Sequence, residues 1–395
     1  MTRLATSWLV YRLTDSALLL GIVAFAGQIP VFFLSPLAGV WVDRWDRHRA
    51  MIVTQILAMI QSLALAVLAL TGTINIGWII FLTTMQGLIN TFETPARQTF
   101  MVQMIDDRAA LGNAIALNSS MVNGARLVGP AIAGVVIAAV GEGYCFLIDG
   151  LSYIAVIYSL IAMKIRPEES RNQQTHVWHE LVEGWRYVVG TPPIRWILLM
   201  LSLISLIGMP YSVLLPIMAG NVLHGGAHTL GFLVAAAGLG AFAAAVSLAV
   251  RKSVRGLSRW IGFASAIMGA SLILFGLSRA FWLSMILMPG IGFGMMRQIA
   301  GSNTILQTIT ADDKRGRVMS FYALAVLGFT PIGSLLAGML ASRIGAPSTL
   351  IASGSLCLLA ALWFMGRLPE IRREIRPVYI ELGIIQQTAI ESQGR

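Results

Sequence analysis

The chain has 395 residues, of which 56% are hydrophobic and 12% are charged, and its mean hydropathy is +0.76. Soluble domains carry about 25% charged residues, so this chain has too few to cover the surface of a soluble protein. The composition therefore excludes a large soluble enzyme and predicts an all-α membrane protein.

Apolar segments follow one another along the chain, and most reach the roughly 20 residues that a spanning helix needs. They cover residues 17–42, 50–70, 76–99, 113–140, 144–163, 193–220, 229–250, 260–278, 281–307, 318–341 and 347–366. Residues 1–13 form a further apolar piece that is too short to span and lacks the features of a signal peptide. We therefore expect about eleven full spans after a truncated first helix, and a functional protein that begins upstream of Met1.

The basic residues are distributed asymmetrically. All but six of the 28 Lys and Arg residues lie in alternate connections between the apolar segments or in the tail. The six exceptions are Arg3, Arg12, Arg126, Arg279, Arg297 and Arg343. Because cytoplasmic loops are rich in Lys and Arg, this pattern predicts that residues 43–49 and the C-terminus are cytoplasmic in a bacterial plasma membrane. The net charge of +10 then reflects orientation and contact with the lipid bilayer, and it requires no nucleic acid.

The segment GVWVDRWDRHR, residues 39–49, connects the second and third apolar segments. A basic stop signal would need arginines but no particular order, and this order is more specific. Its key positions are Gly39, Asp43, Arg44 and Arg47. Here the sequence resembles the major facilitator superfamily, whose signature loop reads Gly-x-x-x-Asp-Arg-x-Gly-Arg-Arg. Asp46 stands at the family's glycine and His48 at a basic residue. This variant is similar to the drug and siderophore exporters, which include enterobactin exporters and macrolide efflux proteins.

The resemblance implies a transporter with two halves of six helices that alternates access by rocking of the halves. Asp43 would pair with a basic group, or with a helix N-terminus of the other half, and so latch one conformation. A solvated charge run is the competing interpretation, and it is the better one for Arg49. Gly39, one helical turn before Asp43, would allow a neighbouring helix to approach closely.

An internal repeat agrees with two parallel halves. QMIDDRAALGNAIAL at 103–117 is echoed by TITADDKRGRVMSFYAL at 308–324, and a bend containing proline follows each copy. The polar segment 164–192 is the expected linker, with an amphipathic helix that places Leu181, Trp185 and Val188 on one face. The predicted organisation is an N-terminal half at 1–163, the linker at 164–192, a C-terminal half at 193–366 and a cytoplasmic tail at 367–395.

Two further segments suggest moving parts. RLVGPAIAG, residues 126–134, resembles the family's antiporter motif: Gly129 and Gly134 would permit close packing, and Pro130 would bend the helix. A plain transmembrane kink is the alternative. In FETPARQ, residues 92–98, Glu93 and Arg97 are spaced i, i+4 and can neutralise each other, as a structural latch or a proton-linked switch.

Polar residues inside a membrane are costly and indicate function. Arg126 would contact the substrate or bond the carbonyls that Pro130 frees. Asp149 would carry a proton or reach the outer rim, and Arg297 would pair with Asp149 or contact the substrate. Gln28 and Asn123 are weaker candidates for the lining of the pore.

Other chemistry is missing from the sequence. It contains no phosphate-binding loop for ATP and no nucleophile or metal motif, so we expect neither an enzyme nor a cofactor or metal site. Cys145 and Cys357 fall in different halves, which argues against a disulfide.

We therefore expect a monomeric secondary transporter that exports an amphipathic small molecule by proton antiport, with neutral or anionic substrates favoured by Arg126 and Arg297. An arginine that many proton antiporters of the superfamily carry in the fourth span is missing, since residues 83–87 read TTMQG. A facilitator of lipid or nutrient movement, and a membrane sensor without transport, are the alternatives.

Overall fold

The computed structural model describes residues 1–44, 46–103, 111–163, 177–251 and 253–381. These ranges form helices joined by turns and contain no strand, which confirms the all-α class. The first half comprises α1 (Thr2–Thr14), α2 (Ala17–Arg44), α3 (Arg47–Leu70), α4 (Ile76–Gln103), α5 (Leu111–Val140) and α6 (Glu142–Ala162). The linker contributes α7 (Val177–Gly190). The second half comprises α8 (Pro192–Ile207), α9 (Tyr211–Ile217), α10 (Ala227–Ala249), α11 (Leu257–Leu277), α12 (Phe281–Ile309), α13 (Asp312–Ala323), α14 (Phe329–Ile344) and α15 (Ala346–Glu381).

Long apolar helices dominate the described residues, and nine segments are long and apolar enough to cross a membrane. Two of these segments are composite. A π-helical turn at Met218–Val222 extends α8 and α9, and another at Leu324–Gly328 joins α13 to α14. α4 and α5 have 28 and 30 residues but are not among these nine segments, so the eleven full spans expected from the sequence stay a prediction. α1 has 13 residues.

Tight turns connect the spans and define two ends of the bundle. At one end, called the Asp15 end, α1 turns into α2 at Asp15, and positive-φ glycines make the turns at Gly72, Gly141 and Gly345. Glycine suits these positions because it adopts positive φ without a steric penalty. The opposite end, called the Asp46 end, holds the α2–α3 connection, α7 and the α10–α11 turn.

Each half is held together by pairs of packed helices. In the first half α3 packs against α6 and α4, and α2 packs against α4. In the second half α12 lies between α10 and α11, and α15 packs against α11 and α8. The two most extensive contacts between the halves are α5 against α10 and α2 against α14, and α1 and α2 also contact α9. Most of the buried apolar side chains form one core that includes Ala133 of α5 and Leu230 of α10, and a smaller separate cluster includes Met51 and Phe100.

Candidate gating and substrate site

The contact between α5 and α10 depends on two glycines. A Cβ on Gly134 would lie 2.8 Å from both the Ala227 oxygen and the Cα of Gly231. A Cβ on Gly231 would lie 2.6 Å from the Pro130 oxygen. Real Cβ atoms do not approach backbone this closely, so both positions require glycine for the two helices to touch as they do. The predicted bend motif therefore supplies part of the contact between the halves.

A second glycine pair joins α2 to α14. A Cβ on Gly21 would lie 2.8 Å from the Ser334 oxygen and 3.1 Å from the Cα of Gly338. A Cβ on Gly338 would lie 2.6 Å from the Ala17 oxygen. Gly21 and Gly231 are both in the first turns of helices that start at the Asp15 end. The two glycine contacts therefore bring the halves together at that end.

A polar bridge also crosses between the halves at the Asp15 end. The Tyr11 hydroxyl donates to the side-chain oxygen of Asn221 at 2.5 Å, and the Asn221 amide donates to Asp15 Oδ1 at 2.9 Å. Asn221 lies in the π-helical turn that ends the segment begun by α8. Its neighbour Gly220 has no side chain that would displace the Tyr11 ring. Neither Tyr11 nor Asn221 was singled out from the sequence.

α1 is fixed to its own half by an ion pair. Arg12 Nε lies 3.0 Å from Glu142 Oε1, at the first residue of α6. The Glu142 side chain is 5% exposed, so it would be costly to bury without this partner. Arg12 therefore helps to hold Tyr11 and Asp15 where Asn221 can reach them.

At the Asp46 end, α7 is attached to the second half by charge. Glu183 Oε1 lies 2.5 Å from Lys314 Nζ and 2.7 Å from Arg317 Nη1, both on α13. Hydrogen bonds from Lys314 and then Arg317 lower the pKa of the Glu183 carboxyl below its ordinary value. The Trp185 ring also meets the Phe321 ring at 5.9 Å. The predicted linker helix is thus present, and it packs on α13.

The α2–α3 connection has a local structure that explains part of its sequence. Asp46 caps α3, because its Oδ1 accepts from the backbone amides of His48 and Arg49 at 2.9 and 3.2 Å. His48 Nε2 lies 2.6 Å from the Leu160 oxygen of α6, and its ring stacks on Phe100 of α4. The residue at the motif's glycine is a helix cap, and His48 ties three helices together.

An apolar groove runs along α3 and α4 from this connection, with a volume of about 980 Å³. Val53, Leu57 and Ile60 line it from α3, and Phe81 and Phe92 from α4. Its charged groups lie at one end and are Asp46 and Arg49, whose Oδ2 and Nε atoms are 3.4 Å apart. Such a groove suits the apolar part of an amphipathic molecule.

Comparison with known proteins agrees with this arrangement. Residues 1–378 match the major facilitator family described as "Transmembrane secretion effector". The chain belongs to this family. This major facilitator is 26% identical to the Staphyloferrin A transporter of Staphylococcus aureus over 94% of both chains. It is 27% identical to the multidrug efflux pump Tap of Mycolicibacterium fortuitum, over 95% of this chain and 94% of Tap. It is also 21% identical to Macrolide efflux protein A of Streptococcus pyogenes, over 88% of this chain and 87% of that protein.

Solved structures show the same fold at low identity. The nucleoside transporter NupG, crystallised as a point mutant, superposes with a TM-score of 0.74 at 11% identity, over 92% of this chain and 95% of NupG. A bacterial homologue of the lysosomal transporter Spinster, in an inward-facing and occupied conformation, superposes with a TM-score of 0.71 at 14% identity. The superposition covers 95% of this chain and 94% of the homologue. These likenesses confirm the predicted major facilitator fold for this multi-pass membrane protein.

Several residues predicted for the site of this major facilitator lie outside the described side chains. Their backbones belong to α2, α3 and α5, but the side chains fall outside the described part. These residues are Gly39, Asp43 and Arg44 in α2, Arg47 in α3, and Asn123 and Arg126 in α5. The latch and the substrate contact assigned to them remain predictions.

The structure corrects three details of the predicted site. Glu93 and Arg97 do not form an ion pair within 4.0 Å with each other; Pro95, which lacks a backbone N–H, lies between them inside α4. Arg297 does not pair with Asp149. Close packing at Gly129 was also wrong, because no atom of the described residues outside its local helix would come within 4 Å of a Cβ there.

Arg297 of the major facilitator lies within the second half. It is 3% exposed, and its Nη1 donates to Ser247 Oγ of α10 at 3.0 Å. Its guanidinium carbon also lies 5.2 Å from the centre of the Trp260 ring on α11. A hydroxyl and an aromatic face thus stabilise its charge, whereas the sequence had predicted the carboxylate of Asp149 as its partner.

The remaining candidates occupy the first half. Asp149 Oδ2 accepts from Ser62 Oγ at 3.2 Å, which places this half-buried carboxylate between α6 and α3. Gln28 donates to the Ala24 oxygen of its own helix at 3.1 Å. On α4, the side chain of Gln86 donates to Asn90 Oδ1 at 3.1 Å, a polar pair that sequence reasoning missed.

Proposed function

We propose that this major facilitator exports an amphipathic small molecule across a bacterial cytoplasmic membrane, by alternating access driven by the proton gradient. The observation that carries the proposal is the contact between the two halves at the Asp15 end, where Gly134 of the bend motif meets Gly231 of α10. An interface made by backbone contact at one end can close fully or separate. Rigid halves that rock about a central site use such an interface as a gate.

We propose that the Asp46 end faces the cytoplasm. This end carries most of the chain's basic residues, among them Arg49, Arg255 and Arg317, whereas the Asp15 end carries Arg12, Arg279 and Arg343. Lys and Arg accumulate on the cytoplasmic side of short connections. In this orientation the structure represents the conformation that is closed toward the outside.

The proposed substrate class follows from the relatives and from the groove. The relatives are named as transporters of staphyloferrin A, of macrolides and of multiple drugs. The apolar groove along α3 and α4, charged at one end, agrees with an amphipathic molecule. Because Arg297 is already engaged by Ser247 and Trp260, the preference for neutral or anionic substrates now depends on Arg126 alone.

Asp149 is the proposed proton carrier. It is half-buried between α3 and α6, and its described hydrogen-bond donor is the hydroxyl of Ser62. Coupling would then consist of protonation from the outside and release toward the cytoplasm as the halves rock.

The test uses purified protein in liposomes, oriented with the Asp46 end outward, and a radiolabelled macrolide as the probe. We expect uptake into the liposomes when the lumen is acidic, and its loss when a protonophore is added. Equal movement without a gradient would instead establish a facilitator. Binding of the probe without any movement would establish a sensor.

Two variants separate the roles of the carboxylate and of its hydrogen bond. Asp149→Asn should abolish gradient-driven uptake and preserve exchange of labelled for unlabelled substrate, because exchange needs no proton transfer. Ser62→Ala removes the donor and keeps the carboxylate, so it should preserve both. Full gradient-driven uptake by Asp149→Asn would assign proton coupling to another group.

A further inference from the structure

Three arginines surround the turn between α10 and α11 and are called here the arginine patch: Arg251, Arg255 and Arg259. The turn itself is ordered by hydrogen bonds. Arg251 Nη2 donates to the Arg255 oxygen at 2.7 Å, and the Arg255 amide donates to Ser253 Oγ at 3.2 Å. Because these bonds restrain the Arg251 side chain and the Arg255 backbone, less freedom would be lost there when an anion binds.

The guanidinium groups of the patch lie at the ends of two membrane spans. Arg259, in the first turn of α11, has its guanidinium carbon 5.2 Å from the centre of the Phe263 ring. The ring of the next residue, Trp260, packs against the buried guanidinium of Arg297 on α12. Arg297 also donates a hydrogen bond to Ser247 of α10, four residues before Arg251. α12 thus fills the space between α10 and α11, and it adds a fourth positive charge beneath the turn.

The ion pairing of this turn differs from that of α13, another basic segment of the Asp46 end. On α13, Lys314 and Arg317 share an ion pair with Glu183, and Arg315 pairs with Asp312. In contrast, none of the arginines in the patch makes an ion pair within 4.0 Å with any residue that the structure describes. Within the described part of the chain, no carboxylate within 4.0 Å therefore competes with a bound anion for these three guanidinium groups.

An apolar surface continues from the patch into the membrane. Trp260, Phe263 and Ile267 are 38%, 39% and 37% exposed, and they follow one another along one side of α11. Aromatic side chains at the end of a span mark the level of the lipid headgroups. A ligand held here would have its negative charge at the arginines and its hydrocarbon chains along α11.

We propose that the arginine patch binds the phosphate of an anionic phospholipid from the leaflet at the Asp46 end. Basic pockets between spans bind such headgroups, and each Arg near an anionic surface adds attraction. A free anion would use the same guanidinium groups but would gain nothing from the aromatic side of α11. The site concerns a lipid partner and stands independently of the transported substrate.

The experiment measures lipid binding to the full chain in detergent by native mass spectrometry. The probes are phosphatidylglycerol, phosphatidylcholine with identical acyl chains, and inorganic phosphate. The test variant is Arg251→Gln/Arg255→Gln/Arg259→Gln. The matched control is Arg372→Gln/Arg373→Gln/Arg376→Gln, which removes the same charge from exposed positions on α15.

We expect the wild type and the control to prefer phosphatidylglycerol over phosphatidylcholine, and the patch variant to lose at least tenfold of its affinity for phosphatidylglycerol. An equal loss in the control would overturn the proposal, since binding would then follow net charge. Full binding by the patch variant would also overturn it, as would competition by inorganic phosphate at concentrations matching the lipid. If the triple variant does not elute as a monodisperse species, Arg255→Gln alone is tested against Arg373→Gln, with the same criteria.

Discussion

Replacing Gly134 by alanine tests the gate most directly, because it adds a single methyl group at the contact between the halves. The added Cβ would lie 2.8 Å from the Ala227 oxygen and from the Cα of Gly231, so α5 and α10 must separate to accommodate it. Overpacking of this kind costs about 1–3 kcal/mol. Alanine also stabilises a helix by roughly 0.5–1 kcal/mol relative to glycine, but this gain is equal in both conformations and does not affect their ratio.

The penalty falls only on the conformation closed at the Asp15 end. We therefore expect Gly134→Ala to reduce the population of that conformation by about fivefold to 150-fold, which corresponds to the same 1–3 kcal/mol. Gly129→Ala is the matched control on the same helix, since no described atom beyond its local helix lies within 4 Å of a Cβ there. The control gains the helix stabilisation without the clash.

Spin labels report the equilibrium. Cysteines at Thr73 and Ala280 place labels on exposed turns of opposite halves at the Asp15 end, and the native cysteines, Cys145 and Cys357, are buried. Pulsed dipolar spectroscopy should show longer distances for Gly134→Ala than for the wild type and for Gly129→Ala. Identical distance distributions for the two alanine variants would refute the assignment of this contact as a gate.

Three further predictions concern single polar groups. Asn221→Leu should lengthen the same label distance modestly, because an exposed hydrogen bond contributes only about 0.5–1.5 kcal/mol; no change would remove the bridge from the gate. Glu183→Gln should speed hydrogen exchange in α7 at neutral pH, with Glu370→Gln as the control. Since the lowered pKa of Glu183 favours its charged form, the wild type should lose this protection only as the pH falls through that pKa, below the ordinary glutamate range. Asp46→Ala removes a helix cap and should lower the free energy of unfolding by about 1 kcal/mol, whereas Asp46→Asn should largely preserve that free energy because asparagine also caps. An equal decrease in both variants would assign the effect to the ion pair with Arg49.

The arrangement of spans could be predicted from the sequence because hydropathy depends on the segment alone. Gly134 was found for a similar reason: a glycine four residues after Pro130 is a local pattern. Its partner Gly231 could not be found in this way, because α10 is apolar on all sides and carries no periodic signal that identifies the face in contact with α5. The register between two helices is a property of tertiary packing.

The error at Arg297 has a different cause. Counting charges along the sequence supplies candidate partners of opposite sign, and Asp149 was the remaining carboxylate. The folded chain used a hydroxyl of α10 and the ring of Trp260, neither of which enters a count of charges. Asn221 was missed because it comes at the end of a long apolar segment, where its position opposite Tyr11 depends on a π-helical turn that the sequence does not reveal.

The forces at the two ends of the bundle differ in a way that bears on the transport cycle. The Asp15 end is closed by backbone contact at two glycine pairs and by the bridge of Asn221 to Tyr11 and the exposed Asp15 carboxylate, so little desolvated charge must be separated when it opens. α7 at the Asp46 end is held to α13 by ion pairs, which weaken with salt. A ligand shifts a conformational equilibrium only by its differential affinity for the two states. The closed end is held by packing, so the ligand need not separate buried ion pairs there. A difference of about 3 kcal/mol in its binding free energy for the two conformations brings a conformation populated at about 1% to near equality. One bound amphipathic molecule can supply a difference of this size.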